Sequence, residues 1–320
     1  MVGPLDRVKI LFQASNPQFA KYTGSWFGVF TAVRDINRQD GIRGLFRGHS
    51  ATLLRIFPYA GIKFLAYEQL RALIIPSRSS KTPARQFLSG SLAGITSVCF
   101  TYPLEVIRVR LAYETKKNPS QTSLTQICRQ IYHEQAAKVA ASLAGKKVAA
   151  THGCVENPVI RSGLVNFYRG FSLTLIGMVP YAGMSFLTHD AMGDLLRHPS
   201  VAPFTTLPLS GQDTAAAQSH QSRRPQLTAV AELTAGAVAG LVSQTASYPF
   251  EVIRRRMQVG GAVGDGHRLR ILETARIVWT EAGWKGFFVG LTIGYLKVVP
   301  MVAVSFYVYE RSKWWLGIQS

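Results

Sequence analysis

Long apolar stretches alternate along this chain with shorter amphipathic ones. Phe87–Leu111, Phe171–Leu187, Leu227–Val252 and Phe287–Tyr309 are rich in hydrophobic residues. Each is near the ~20 residues an α-helix needs to cross a bilayer. Gly90-x-x-x-Gly94 and Gly236-x-x-x-Gly240 place small residues at a spacing that lets helices approach closely. Trp26–Arg38 and Leu269–Thr280 are amphipathic and suit helices lying along a membrane surface. The long stretches keep a polar face of their own. They therefore read as helices around a wet cavity, not as lipid-bathed anchors.

The pattern occurs three times. Pro4-x-Asp6-x-x-Lys9, Pro103-x-Glu105-x-x-Arg108 and Pro249-x-Glu251-x-x-Arg254 share one motif. A glycine turn follows each: LFRG ending at Gly48, FYRG ending at Gly170 and FFVG ending at Gly290. At one constant interval beyond these glycines stand Pro58, Pro180 and Pro300; at a second come Tyr67-Glu68, His189-Asp190 and Tyr309-Glu310. This register predicts tandem repeats of two long helices and one short helix. The repeats span 1–75, 84–198 and 227–317, with an insertion at 136–162 in the second and a Pro/Ser/Gln-rich flexible loop at 199–226. Repeat one has little sequence before its motif proline, so most of its first long helix is expected to be missing.

A proline within a helix removes a backbone bond and kinks the chain. Just beyond it, the acid and base of each motif lie three residues apart on nearly one face. Pseudo-three-fold symmetry lets the acid of one repeat reach the base of the next. The predicted pairs are Asp6–Arg108, Glu105–Arg254 and Glu251–Lys9, braced by Gln13 and Gln258, with Ala112 at the third brace position. Such a ring gains Coulomb energy but loses hydration, and so can be weak enough to open as a gate.

Composition narrows the function. Hydrophobic residues make up 47% and charged residues 17%, while 36 Lys and Arg against 17 Asp and Glu give a net charge of +19. That balance suits an anionic partner. The basic residues sit singly at the ends of apolar stretches, which favours membrane flanks over a nucleic-acid surface. Three cysteines without a CxxC pair support neither zinc nor a disulfide framework. The seven histidines are scattered and form no nucleophile–base constellation, so the chain does not read as an enzyme. The start shows no secretory signal and no Arg/Ser-rich presequence.

The triplicated motif with its glycine turns resembles the mitochondrial carrier family over essentially the whole chain. The resemblance implies an all-α membrane protein: three tandem repeats of two transmembrane helices plus a short matrix helix, in a pseudo-three-fold six-helix bundle. It implies a multi-pass transporter of the mitochondrial inner membrane with alternating access between two gates, no cofactor, and function as a monomer. The six odd and even helices carry the matrix gate named above and a cytoplasmic gate. Tyr67-Glu68-x-x-Arg71 and Tyr309-Glu310-x-x-Lys313 match the cytoplasmic motif. His189-Asp190-x-x-Gly193 lacks the base, so this gate is expected to be the weaker.

In this family the central site lies three residues before the even-helix proline, which selects Arg55, Gly177 and Lys297. Two cations and a glycine suit an anion with a flat part. The Gly177-Met178 pair resembles that of carriers of adenine-containing substrates, with Tyr181 to stack on the base and Ser247 to contact it. Arg55 and Lys297 would hold phosphates, and Lys63 and Arg255 are further cations for them. GHSATLLRIFPYAGIKFLAYEQLR and the long second matrix loop look most like the coenzyme A carriers of the Leu5 and Graves disease carrier type. ATP-Mg/phosphate carriers are the alternative substrate class, and a non-transporting membrane adaptor is the alternative of another kind. The turns at Arg47-Gly48, Arg169-Gly170 and Gly290 open helices whose amides suit cardiolipin headgroups.

Overall fold

In the computed structural model the described residues are 3–23, 27–75, 82–115, 124–145, 163–206, 227–260 and 270–315. They are helical, apart from turns and one isolated bridge between Thr206 and Leu227. The helices are α1 (Gly3–Gln13), α2 (Gly28–Leu45), α3 (His49–Ile74), α4 (Pro83–Tyr113), α5 (Leu124–Gly145), α6 (Phe171–Leu196), α7 (Ala202–Thr205), α8 (Ala229–Val259), α9 (Ile271–Gly286) and α10 (Leu291–Trp315). Short 3₁₀ turns occupy Ala20–Tyr22 and Gly163–Tyr168.

The order long–short–long holds for α4-α5-α6, with 31, 22 and 26 residues, and for α8-α9-α10, with 31, 16 and 25; in α1-α2-α3 the first helix has 11 residues, fewer than the 18 of α2, before the 26 of α3. The amphipathic stretches form α2 and α9, each running beyond the end drawn from the sequence. Both contain a glycine with positive φ, Gly41 at 70° and Gly283 at 58°, which kinks the helix. Residues 136–145 of the expected insertion continue α5, while 146–162 and 207–226 lie outside the described residues.

Two compact units divide the described chain: Met1–Thr174 with Val252–Ser320, and Leu175–Glu251. In the first unit, Val8, Leu11, Phe12, Phe19, Val29, Ala32, Ile36 and Ile293 form one apolar cluster. A second gathers Ala51, Val98, Tyr102, Val106, Ile107, Leu111, Ile127 and Ile131. Elsewhere the long helices turn apolar side chains outward: Leu53, Leu54, Phe57 and Phe64 on α3, and Phe87, Leu92 and Phe100 on α4. Phe57 is 83% exposed, an arrangement that suits hydrocarbon and not water. Residues 85–113 and 163–196 are long and apolar enough to cross a membrane by length and composition. Two of their threonine hydroxyls bond the backbone one turn back: Thr101 Oγ1 donates to the Ser97 carbonyl at 2.7 Å and Thr174 Oγ1 to that of Gly170 at 3.0 Å.

Pro58, Pro103, Pro180 and Pro249 lie inside α3, α4, α6 and α8. Pro4 falls in the first turn of α1, where its missing N–H leaves no bond unmade. Gly48, Gly170 and Gly290, just before α3, α6 and α10, have φ of 84°, 78° and 83°. Only glycine adopts this region without steric cost. A Cβ on Gly48 would also stand 3.0 Å from the Arg108 carbonyl oxygen.

Gly48→Ala should therefore lower the thermal midpoint by several degrees, from a strain of about 1–2 kcal/mol plus the contact with Arg108. Gly61→Ala, where a Cβ meets nothing within 4 Å, should leave it unchanged or slightly raised. Thermal unfolding of both variants in detergent checks the contrast.

Candidate functional site

The polar centre of the first unit is built on two carboxylates. Glu105, on α4 just beyond Pro103, has a side chain only 2% exposed. It faces Arg254, Arg255 at 3.0 Å, and Arg55 of α3 at 3.4 Å. Asp6, on α1, meets Arg108 at 3.2 Å and Lys297 of α10 at 2.8 Å. The two repeat-to-repeat contacts Asp6–Arg108 and Glu105–Arg254 thus sit where the motif spacing puts them. Lys9 and Glu251 fall in different units, and their pairing stays with the proposal below.

Gln258 holds the arrangement from one side. Its Oε1 accepts from Arg255 Nη1 at 2.9 Å, and its Nε2 donates to Tyr102 Oη at 3.1 Å. Tyr102 Oη in turn donates to the Arg169 carbonyl at 2.7 Å, and the Arg254 guanidinium lies 5.6 Å from the Tyr102 ring centre. Gln13 is buried. Sequence spacing does not predict that Arg55 and Lys297, expected at the central site, share carboxylates with the motif pairs.

A second layer of charge also went unread. Glu134 of α5 lies between Arg110 at 2.7 Å and Arg169 at 2.9 Å, all three side chains buried. In repeat one Asp40 of α2 meets Arg7 at 2.9 Å and Arg47 at 3.8 Å. Arg7 Nε also donates to the Ala112 carbonyl at 3.2 Å and Nη2 to that of Glu114 at 3.0 Å. In repeat three Arg256 meets Glu281 at 2.5 Å, with Glu281 52% exposed. A signal was present: Arg110 and Arg256 each stand two residues after the motif base. Repeat one has Leu11 there, and Arg7, one turn earlier, supplies the charge instead.

The guanidiniums of Arg47 and Arg169 point inward. Arg169 is 3% exposed, paired with Glu134 and donating to Asn166 Oδ1 at 3.3 Å; Arg47 donates to the Glu114 carbonyl at 3.0 Å. Neither guanidinium is turned toward the surface, where the lipid role expected of it would need it.

Lys63 is exposed on α3, its Nζ 6.0 Å from the Tyr59 ring centre, and Arg55 lies 5.6 Å from the same ring. In the second unit Met178 and Tyr181 are exposed on α6. A Cβ on Gly177 would stand 3.2 Å from that of Phe250, so close packing is a second reason for glycine here. Ser247 Oγ donates to the Ser243 carbonyl at 3.0 Å.

Of the expected cytoplasmic gate, Glu68, Arg71 and Asp190 are exposed and form no ion pair among the described residues. The side chains of Glu310 and Lys313 lie outside the described set. Among the described residues no group of His, Cys, Asp or Glu could hold a metal. Cys99 and Cys128 are free thiols, and burial pushes the Cys128 thiol up.

Breaking a buried ion pair by removing one partner costs ~3–5 kcal/mol, because the other charge is left uncompensated. Glu134→Gln strips two buried guanidiniums of their counter-ion and should lower the thermal midpoint well below that of the parent protein. Glu68→Gln, at an exposed position, should leave it within a degree or so.

A family profile described as "Mitochondrial carrier protein" matches residues 1–78, 79–200 and 225–320, one match per repeat. The chain is 49% identical to the mitochondrial carrier protein LEU5 of Saccharomyces cerevisiae, over 99% of this chain and 86% of that protein. It is 34% identical to solute carrier family 25 member 16 of Homo sapiens, over 98% of this chain and 82% of that one. With the mitochondrial carrier protein CoAc2 of Zea mays it shares 33% identity, over 100% and 83% of the two chains. With three repeats, kinked helices and ion pairs between motifs, the chain belongs to the mitochondrial carrier family, and it is a transporter of the mitochondrial inner membrane, not an enzyme.

Proposed function

We propose that this carrier moves coenzyme A across the mitochondrial inner membrane, in exchange for an adenine nucleotide, by alternating access. The observation that carries the reading is the crowding of cations about two carboxylates. Asp6 and Glu105 face Arg55, Arg108, Arg254, Arg255 and Lys297, so positive charge exceeds negative where the central site is expected. Guanidinium and ammonium groups held in this way suit phosphate oxygens. Similarity to LEU5, to solute carrier family 25 member 16 and to CoAc2 supports the same substrate class.

In this reading Arg55 and Lys297 take the pyrophosphate, and Lys63 draws the anion toward them. Gly177, Met178, Tyr181 and Ser247 receive the adenine, a role that rests on the family resemblance. The matrix gate closes through Asp6–Arg108, Glu105–Arg254 and Glu251–Lys9, with Gln13 and Gln258 as braces. Glu68, Arg71, Asp190, Glu310 and Lys313 form the cytoplasmic gate, which is open while the matrix pairs hold. Cardiolipin headgroups sit on the amides of the glycine turns, and the carrier works as a monomer.

The test is uptake by the full chain reconstituted in liposomes preloaded with coenzyme A or ADP. Saturable uptake of labelled coenzyme A is expected, falling at least about tenfold in Arg55→Ala and in Lys297→Ala as charge-assisted contacts are lost. Uptake of ATP without coenzyme A would assign the protein to the ATP-Mg/phosphate class. Uptake of neither would leave a membrane adaptor.

A further inference from the structure

Glu105 has one motif partner, Arg254, and one partner from the central site, Arg55. Arg255 is surplus to both. It reaches the same carboxylate, its Nη1 donating to Glu105 Oε1 at 3.0 Å and to Gln258 Oε1 at 2.9 Å. These two bonds fix the orientation of a guanidinium that is mostly buried, 13% exposed. Its Nε has no hydrogen-bond partner among the described residues, nor do those of Arg55 and Arg254. Arg255 also repels its neighbours, its charge acting on Arg55, Arg108 and Arg254. One carboxylate cannot neutralise three guanidiniums, so the surplus is a standing electrostatic cost in the absence of an anion. A cost of that kind at a buried polar centre points to a ligand that removes it.

The gate and the pyrophosphate account for Arg254, Arg55 and Lys297, but not for Arg255. We infer that Arg255 is a specificity residue that receives a phosphomonoester carried by the substrate in addition to its pyrophosphate. The unpartnered Nε edge of a guanidinium matches two phosphate oxygens in parallel. A phosphomonoester brings about −1.5 to −2 charge near neutral pH, enough to balance the extra cation and part of the remaining excess. On the coenzyme A reading, on which this inference rests, that group is the 3′-phosphate of the ribose. Gln258 then has a second task besides bracing the gate, because it aims Arg255.

Competition between coenzyme A and 3′-dephospho-coenzyme A tests this. Both share the adenine, pyrophosphate and pantetheine arm, so their ratio cancels any general damage to the gate. In the parent protein, coenzyme A should be preferred by at least about tenfold, for uptake into liposomes and for thermal stabilisation in detergent. Arg255→Gln should bring the ratio close to one by lowering affinity for coenzyme A alone, and Arg255→Lys should restore part of it. The thermal readout applies even if Arg255→Gln no longer transports, and Arg255→Lys covers a variant too unstable to measure. A parent protein that takes both ligands equally, or an Arg255→Gln variant that keeps the preference, overturns the role of Arg255 and leaves the coenzyme A reading standing. A parent protein that takes neither overturns both.

Discussion

Glu105 is a carboxylate almost wholly removed from water, and the neighbouring structure depends on what keeps it charged there. Hydration lost on burial has to be replaced by paired charges and hydrogen bonds. Here the replacement comes from two segments distant in sequence: Arg55 in α3, and Arg254 and Arg255 near the end of α8, with Gln258 and Tyr102 linking those guanidiniums back to α4. A group of this kind contributes little net stability beside an apolar substitute, yet losing one member is costly because its partners stay buried. It holds a particular arrangement of helices without making that arrangement irreversible. A carrier that must close and reopen requires that combination.

The second layer shows the same constraint met in unequal ways. In repeat two, Arg110, Glu134 and Arg169 are all buried, and the long helix, the matrix helix and the turn before α6 are tied at one point. Repeat one reaches an equivalent tie with Arg7, Asp40 and Arg47, using an arginine one turn earlier than the other repeats. Repeat three keeps Arg256 and Glu281, but Val289 stands where Arg47 and Arg169 stand in the other turns, and Glu281 is half in solvent. The three ties therefore differ in strength, the third being the most accessible to water and salt. Pseudo-symmetry in the backbone does not imply equal energetics around the ring.

The parts legible in the sequence were those set by backbone chemistry. Proline fixes φ and glycine alone turns it positive without steric cost, whatever surrounds them; Pro58, Pro103, Pro180 and Pro249 fall within helices, and Gly48, Gly170 and Gly290 fall at helix starts with positive φ. Motif spacing likewise brought Asp6 toward Arg108 and Glu105 toward Arg254. Side-chain reach was not legible. Arg55 and Lys297 are flexible enough to find either a ligand or a gate carboxylate, and one-dimensional spacing cannot say which. Arg47 and Arg169 look like surface charges beside a glycine turn, but each is drawn inward by an acid on a short helix that carries no fixed motif. Gly177 read as part of a ligand site, and Phe250 gives it a packing reason as well.

On the proposed reading, carboxylates shared between gate and central cations have a thermodynamic consequence. A ligand shifts a conformational equilibrium only by its difference in affinity between states. While Arg55 rests on Glu105 and Lys297 on Asp6, an anion must compete with those carboxylates for its own contacts. Each cation it captures leaves the gate acid with one partner fewer, so binding energy is used to loosen the matrix pairs instead of to deepen affinity. Had the central cations been independent of the gate, tight binding would have stabilised the closed state as readily as the open one, and the substrate would have been held instead of passed on. On the proposed reading, the shared carboxylates are what convert recognition of a phosphate into opening.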